Sequence, residues 1–293
     1  MRWNDSRLLG LLPAWAIMIM TLLLPILLII AVSFATRGAY GGFVWSLSGA
    51  SYKQLLFQDG WTGALEFNPQ YLLIIGRTLY LALLTTLICA ALSFPVAYFI
   101  AQQSTRRKAI LIYLVTLPFW VSMIVRVYAW ITILGNDGVL ELGLKSIGLV
   151  DDVDSFLFND GAMLVGLVYS YVPLMILPVF ASVEKLEGAF IEASHDLYGN
   201  AWVTLRRVIL PLTWPGLAAG AVLVFVPCLG AVLEPVLLGG GKNMLLGSLI
   251  QLQFGTARNW PLGSAIAIVL LALVMLFLMV NARRMSRQSV TET

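Results

Sequence analysis

Long apolar runs alternate with short polar segments along the whole chain. Six runs reach the length of about 20 residues that a helix needs to cross ~30 Å of hydrocarbon. They are Leu8 to Phe34, Leu72 to Ala101, Ala109 to Leu134, Gly161 to Val183, Leu212 to Leu237 and Gly263 to Val280. Helix is the form such runs take, because hydrocarbon offers backbone N–H and C=O groups no partner outside the segment. Pro13, Pro25, Pro95, Pro118, Pro173, Pro178 and Pro227 fall within or near the ends of these runs, so kinks are expected. Arg2 and Arg7 precede the first run as they would a signal peptide. Its apolar core is longer than the usual 7 to 15 or so residues, however, and it reads as a retained helix.

One polar segment stands apart. From Val183 to Pro211 an acidic half, with Glu184, Glu187, Glu192 and Asp196, gives way to Arg206 and Arg207. Ala189, Ala193 and Leu197 recur at helical intervals between them, so the segment predicts an amphipathic helix that docks on something. An acidic helix is poorly suited to lying on anionic lipid.

Composition settles the class. The 293-residue chain is 60% hydrophobic and 11% charged, with a mean hydropathy of +0.90, whereas soluble domains carry roughly 25% charged residues. It is an integral membrane protein, and a net charge of +3 gives no nucleic-acid footprint. With the amino terminus in the cytoplasm, the inner segments hold eleven basic residues and the outer segments five, so both termini and the polar segment are placed inside. The outer stretch between the third and fourth runs sets Asp137, Glu141, Asp151, Asp152, Asp154 and Asp160 against Lys145 alone. Such a surface steers a cation or a basic partner, or is simply solvated. In the first outer segment, Trp45, Trp61 and Tyr71 read as interfacial anchors.

Candidate chemistry is sparse. Cys89 and Cys228 lie in apolar runs and read as packed small residues, and the single histidine, His195, has no companion ligand for a metal. No G-x-S-x-G nucleophile motif occurs. Gly239-Gly240-Gly241-Lys242-Asn243 lacks the phosphate-loop spacing and reads as a turn, so any ATP-driven work needs another chain. Ionisable residues inside spans are costly and hence functional candidates. Arg77 can snorkel from the start of its span. Arg126 and Glu234 fall at similar depth in the outer leaflet, where they can pair or line a polar path. Trp120, Tyr128 and Trp130 surround Arg126 in sequence, as a cation-binding surface or as packing.

The polar segment also carries a resemblance. Glu192-Ala193-Ser194, then Gly199, then Val208-Ile209-Leu210-Pro211, resembles the EAA loop of ATP-binding-cassette importer permeases, E-A-A, three residues, G, nine residues, I-x-L-P. Here Ser194 replaces the second alanine and Val208 the isoleucine. Tyr198 stands at the glycine position, with Gly199 one step later and expected to supply the left-handed turn. Three longer strings, LPFWVSMIVRVYAW, VYSYVPLMILPVFASVEKL and LLGGGKNMLLGSLIQLQFGTARNWPLGSAIAI, are similar to the first permease subunit of spermidine/putrescine importers.

The resemblance implies an all-α integral membrane protein with six transmembrane helices in the type I ABC importer permease fold, one domain spanning residues 1–293. Its coupling loop, at about 184–211, would insert into a cytosolic ATPase. It implies Glu192, Ala193, Ser194, Asp196, Gly199 and Pro211 as coupling residues, while the intramembrane charges and their aromatic neighbours make Arg126, Trp120, Tyr128 and Glu234 the candidates for the path. The implied partners are a homologous second permease, an ATPase dimer holding ATP-Mg and an extracytoplasmic solute-binding protein, in a bacterial inner membrane. No cofactor, metal or nucleic acid is expected on this chain, which is not expected to be an enzyme. Alternatives are another small solute, such as an opine, amino acid or phosphonate, or a carrier driven by an ion gradient. No internal repeat of the kind common in such carriers is evident.

Overall fold

The computed structural model describes residues 5–59, 65–148 and 156–290. Trp61, Asp151, Asp152 and Asp154, singled out above, lie outside the described residues, as does Arg2. The apolar runs become helices: α1 (Asp5–Ser33), α3 (Gln70–Ala101), α7 (Asp160–Glu184), α10 (Leu210–Leu229) and α13 (Trp260–Val290). Five stretches are long and apolar enough to cross a bilayer, Gln70–Ala101, Met123–Ser146, Asp160–Glu184, Ala201–Leu229 and Trp260–Asn281, and a sixth, Ile17–Ser33, is shorter among the described residues.

The expected third crossing, Ala109 to Leu134, is not one helix. α4 (Thr105–Thr116) passes into a 3-10 turn, Leu117–Trp120, and α5 (Met123–Leu134) starts afresh after an extended Val121 and Ser122. Pro118 has no N–H to continue the α4 ladder, which is why the break falls here. Twelve residues of helix span only about 18 Å, so neither α4 nor α5 crosses a bilayer alone. The apolar stretch instead continues past a Gly135–Gly138 turn into α6 (Val139–Ser146).

Contacts divide the chain into two compact units. The first comprises residues 1–73 and 249–273. After α1 come two small hairpins, the only strands among the described residues: β1 (Thr36–Arg37) with β2 (Phe43–Val44), and β3 (Phe57–Asp59) with β4 (Leu65–Phe67). α2 (Ala50–Gln54) lies between them in sequence and is tied to the end of α1 by the Tyr52 and Ser33 hydroxyls, 2.9 Å apart. The turn of the first hairpin meets the segment before α13, where Gly42 N–H donates to Arg258 O and Arg37 donates to Ala257 O. Only glycine suits position 41, at φ +91° and with Arg258 Cβ 2.7 Å from where a side chain would begin.

In the second unit, residues 74–248 and 274–293, α7 is the most buried helix and packs along α10. Two glycines one turn apart on α10 bring the backbones close. A methyl group on Gly216 would lie 2.5 Å from Pro178 O, and one on Gly220 would lie 2.4 Å from Met175 Sδ. Lipid supplies no hydrophobic drive between helices, so close packing of small residues holds them instead. α3 is fastened to α7 by Ser93, whose hydroxyl donates to Val172 O at 3.4 Å. Arg77 does not reach for the interface alone: it pairs with Asp160 at the head of α7 and donates to Asn243. Glu141, another acid of the stretch between α5 and α7, pairs with Lys145 at 2.7 Å and accepts the Asp137 N–H. The triglycine is a fixed turn, with Gly240 and Gly241 at φ +67° and +70° and Gly240 packed on the Phe158 ring.

Candidate functional site

The polar segment folds as three short pieces joined by caps. α8 (Gly188–Asp196) ends in a pair of backbone bonds, Tyr198 N–H to His195 O at 2.9 Å and Gly199 N–H to Ser194 O at 2.8 Å, the Schellman arrangement that satisfies the last carbonyls of a helix. The residue in the left-handed conformation is Tyr198, at φ +60°. This corrects the expectation that Gly199 makes that turn: the tyrosine occupies the family's glycine position and takes the glycine's conformation. Gly199 is needed for another reason. A Cβ there would lie 2.6 Å from Ser194 Oγ and 2.7 Å from Ser194 O.

Asn200 then caps α9 (Ala201–Thr204), its Oδ1 accepting the Val203 N–H at 2.9 Å. Ser194 and Thr204 share a hydroxyl hydrogen bond of 2.9 Å, which ties α8 to α9. Residues Leu205–Ile209 form a widened π turn that runs directly into α10, where Pro211 sits in the first turn. Proline at 211 offers no N–H to the Arg207 carbonyl and crowds it, and Leu210 N–H bonds back to Leu205 O instead. Glu192, Ala193 and Asp196 are exposed on α8, and no residue of that helix is buried. Leu197 is 82% exposed, Tyr198 99% exposed, and Phe190 and Trp202 also face out. The element is tied together inside and shows both apolar and acidic side chains outside.

The second group of candidates is partly brought together. Glu234 lies on α11 (Leu233–Leu237), is 0% exposed, and has no hydrogen-bond partner on either carboxylate oxygen among the described residues. Gly166 of α7 makes room for it, since a Cβ there would lie 3.4 Å from Glu234 Cγ. Arg126 of α5 and Glu234 form no ion pair within 4 Å. The guanidinium lies over Phe119, 6.0 Å from the ring centre, and its Nε and one terminal nitrogen are buried without partners among the described residues. Trp120 and Tyr128 do not join them. Both are exposed, and the break at Val121–Ser122 removes Trp120 from the helix that carries Arg126. Trp130 packs edge-on against Tyr169 instead, with 5.6 Å between centroids.

Sequence reasoning missed Ser170 and Tyr171, polar residues of α7 that border Glu234. Both are buried, and the Tyr171 hydroxyl donates to Pro227 O at 3.4 Å. The signal was available, because three consecutive hydroxyl residues, Tyr169, Ser170 and Tyr171, interrupt an otherwise apolar run.

Comparison with known proteins agrees with this layout. Residues 93–291 match the family described as binding-protein-dependent transport system inner membrane component. The spermidine/putrescine transport system permease protein PotB of Haemophilus influenzae is 35% identical over 266 residues, covering 91% of this chain and 89% of that one. Among solved structures, a chain of a bacterial ABC transporter involved in the import of the acidic polysaccharide alginate superposes with a TM-score of 0.72 at 18% identity, over 95% of this chain and 96% of that one. A chain of a bacterial alginate ABC transporter in complex with an alginate pentasaccharide-bound periplasmic protein gives 0.70 at 19% identity, over 97% and 95%. At such identities the two structures speak for the fold, which is that of an ABC importer permease. With the family matched over about two thirds of its length and PotB over nine-tenths, the chain belongs to the binding-protein-dependent transport system inner membrane components.

Proposed function

We propose that this chain, acting as one transmembrane domain over residues 1–293, is a permease subunit of an ATP-driven importer of polyamines. The observation that carries the reading is the 35% identity to a spermidine/putrescine permease across nine-tenths of both chains. The chemistry of the buried group supports it, because Glu234 is an unpaired acid in a membrane chain and an alkylammonium group is its natural counterion. Arg126 opposes a polycation in the same unit, but it makes no ion pair with Glu234, which leaves the acid a claim on the solute.

The chain itself carries no phosphate loop, so hydrolysis of ATP-Mg falls to an ATPase dimer in the cytoplasm and this subunit performs no catalysis. Residues 184–211 dock in that dimer through the exposed face of Ala189, Ala193, Leu197 and Tyr198, with Glu192 and Asp196 beside it. Ser194 and Gly199 keep α8 and α9 rigid, and Pro211 joins them to α10. Displacement of the loop therefore moves α10, α10 moves α7 through the close packing at Gly216 and Gly220, and α7 bears on Glu234 at Gly166. Access to the path becomes a two-state equilibrium that ATP binding and solute delivery bias from opposite ends. A second, homologous permease completes the path, and a solute-binding protein delivers from outside. Both termini face the cytoplasm of the bacterial inner membrane.

The test is purification of the chain with its ATPase and second permease, followed by reconstitution. ATP hydrolysis stimulated by the loaded binding protein is expected only in the full assembly, with labelled putrescine or spermidine uptake competed by polyamines and not by opines, amino acids or phosphonates. Uptake driven by an ion gradient through the lone chain overturns the importer reading. Competition by amino acids alone overturns the choice of solute.

A further inference from the structure

We infer that residues 230–247 form a lid over Glu234, and that Arg77 is the latch that keeps it shut. This rests on the permease reading above, with the end of α10 on the outer side of the membrane. The segment leaves α10 at Gly230, carries α11 and the triglycine turn, and comes back to its start at Gly247. A methyl group on Gly247 would run into the Gly230 and Ala231 carbonyls, so the two ends of the segment meet. A loop closed at its base moves as a unit, and what holds its tip decides whether it is open.

Glu234 lies between base and tip. Beside it Leu238, fully buried, seats on Gly166 of α7, where a methyl group would meet Leu238 Cδ1 and lie 3.4 Å from Glu234 Cγ. The carboxylate is enclosed by this chain alone, and both its oxygens lack a hydrogen-bond partner among the described residues. An acid that is to meet a cation is thus sealed from it. The lid has to lift before the two can touch.

Few bonds hold the tip. Phe158 N–H donates to Leu238 O at 2.8 Å, and Gly240 rests on the Phe158 ring. Arg77 of α3 donates through Nη1 to Asn243 Oδ1 at 2.9 Å and through Nη2 to Asp160 at the head of α7. One guanidinium therefore joins two helix heads to the lid, whereas the base is held separately by Thr78, whose hydroxyl accepts the Leu246 N–H at 3.0 Å. The side chains of Arg77 and Asp160 are 28% and 53% exposed, and an ion pair so open to water adds little stability. It suits a contact that is broken and remade, unlike the packed glycines that join α7 to α10. An interaction made only with the lid shut biases the two-state equilibrium toward the shut state. Without it the open state fills before any solute is delivered, and hydrolysis no longer waits for delivery.

The experiment uses the complete importer in nanodiscs and reads ATP hydrolysis with and without its loaded binding protein. Arg77→Gln is expected to raise the rate without binding protein about three- to fivefold, the range an exposed pair supplies. The rate at saturating binding protein stays at the wild-type level, which shows the assembly intact; a merely structural loss lowers both. Asn243→Ala is expected to raise the basal rate as well and to add nothing on top of Arg77→Gln, because both cut the same tie. Arg77→Lys, which keeps the charge without the fork, falls between wild type and Arg77→Gln. Leu238→Cys reports the lid directly: a membrane-impermeant maleimide is expected to react with it severalfold faster when Arg77→Gln is also present, and both native cysteines are buried. A basal rate unchanged or lowered by Arg77→Gln overturns the inference, as does a double variant whose effects add. Where Arg77→Gln yields no assembled importer, Asn243→Ala, which leaves the ion pair in place, decides in the same way. A wild-type importer that no loaded binding protein stimulates removes the permease reading and this inference together. A stimulated wild type with an indifferent Arg77→Gln removes this inference alone.

Discussion

Tyr198 shows how one residue can break a local rule for a reason visible in the fold. The left-handed conformation costs a non-glycine residue roughly 1–2 kcal/mol, and among the described residues this ring is 99% exposed, with no packing to offset it. A strained, fully exposed aromatic at the tip of this loop suits the partner contact proposed for it. Tyr198→Gly relieves the strain, but glycine's freedom in the unfolded chain costs roughly 0.5–1 kcal/mol, so the net gain is below about 1 kcal/mol. The expected outcome is an assembly of equal or slightly higher melting temperature whose stimulated ATP hydrolysis falls severalfold; unchanged hydrolysis would show that the ring has no partner. Gly199→Ala acts in the opposite way. Its methyl meets the Ser194 backbone, and a loss of about 1–3 kcal/mol in thermal stability is expected together with the loss of coupling. The glycine in this loop was legible in the sequence, but its job was not, because φ at 198 and the approach to Ser194 exist only once α8 has ended. For Glu234, substitution by Gln keeps the shape and removes the charge. The protein is expected to fold, and uptake of a polyamine at limiting concentration to fall at least about tenfold, a change of ~1.4 kcal/mol in solute recognition. Equal uptake by Glu234→Gln removes the acid from the path.

At the scale of elements, the expected spans follow from the length of apolar runs, since 25 residues of α7 make about 38 Å of helix whatever surrounds them. The third span departs because hydropathy does not register a missing N–H, and Pro118 ends α4 in the middle of an apolar run. The same break takes Trp120 off the helix that carries Arg126, whereas Tyr128 stays on α5 and is exposed. The α7–α10 contact shows the converse, a feature decided by small residues that a hydropathy count passes over. Gly216→Val or Gly220→Val forces a branched side chain into backbone and Met175, and a destabilisation of about 1–3 kcal/mol is expected in thermal unfolding of the purified assembly. If the two helices part without cost, packing at these glycines is not what transmits movement from the loop.

For the molecule as a whole, function depends on which side each surface meets. Cysteine introduced at Ser48 is expected to react with a membrane-impermeant maleimide added outside intact cells, and cysteine at Tyr198 only after the cytoplasm is opened; the reverse pattern inverts the topology. What the sequence determined by itself was membrane residence, most of the long apolar helices and the polar loop between α7 and α10. Those are properties of composition, length and spacing along the chain, and they survive any arrangement of the helices. Only the tertiary structure decided that Tyr198 and not Gly199 turns left-handed, that Arg77 is held by Asp160 and Asn243, and that Glu234 is enclosed beside Gly166, Ser170 and Tyr171. Each depends on backbone approach between residues remote in sequence or on where a helix stops, and neither distance is written in the order of the amino acids.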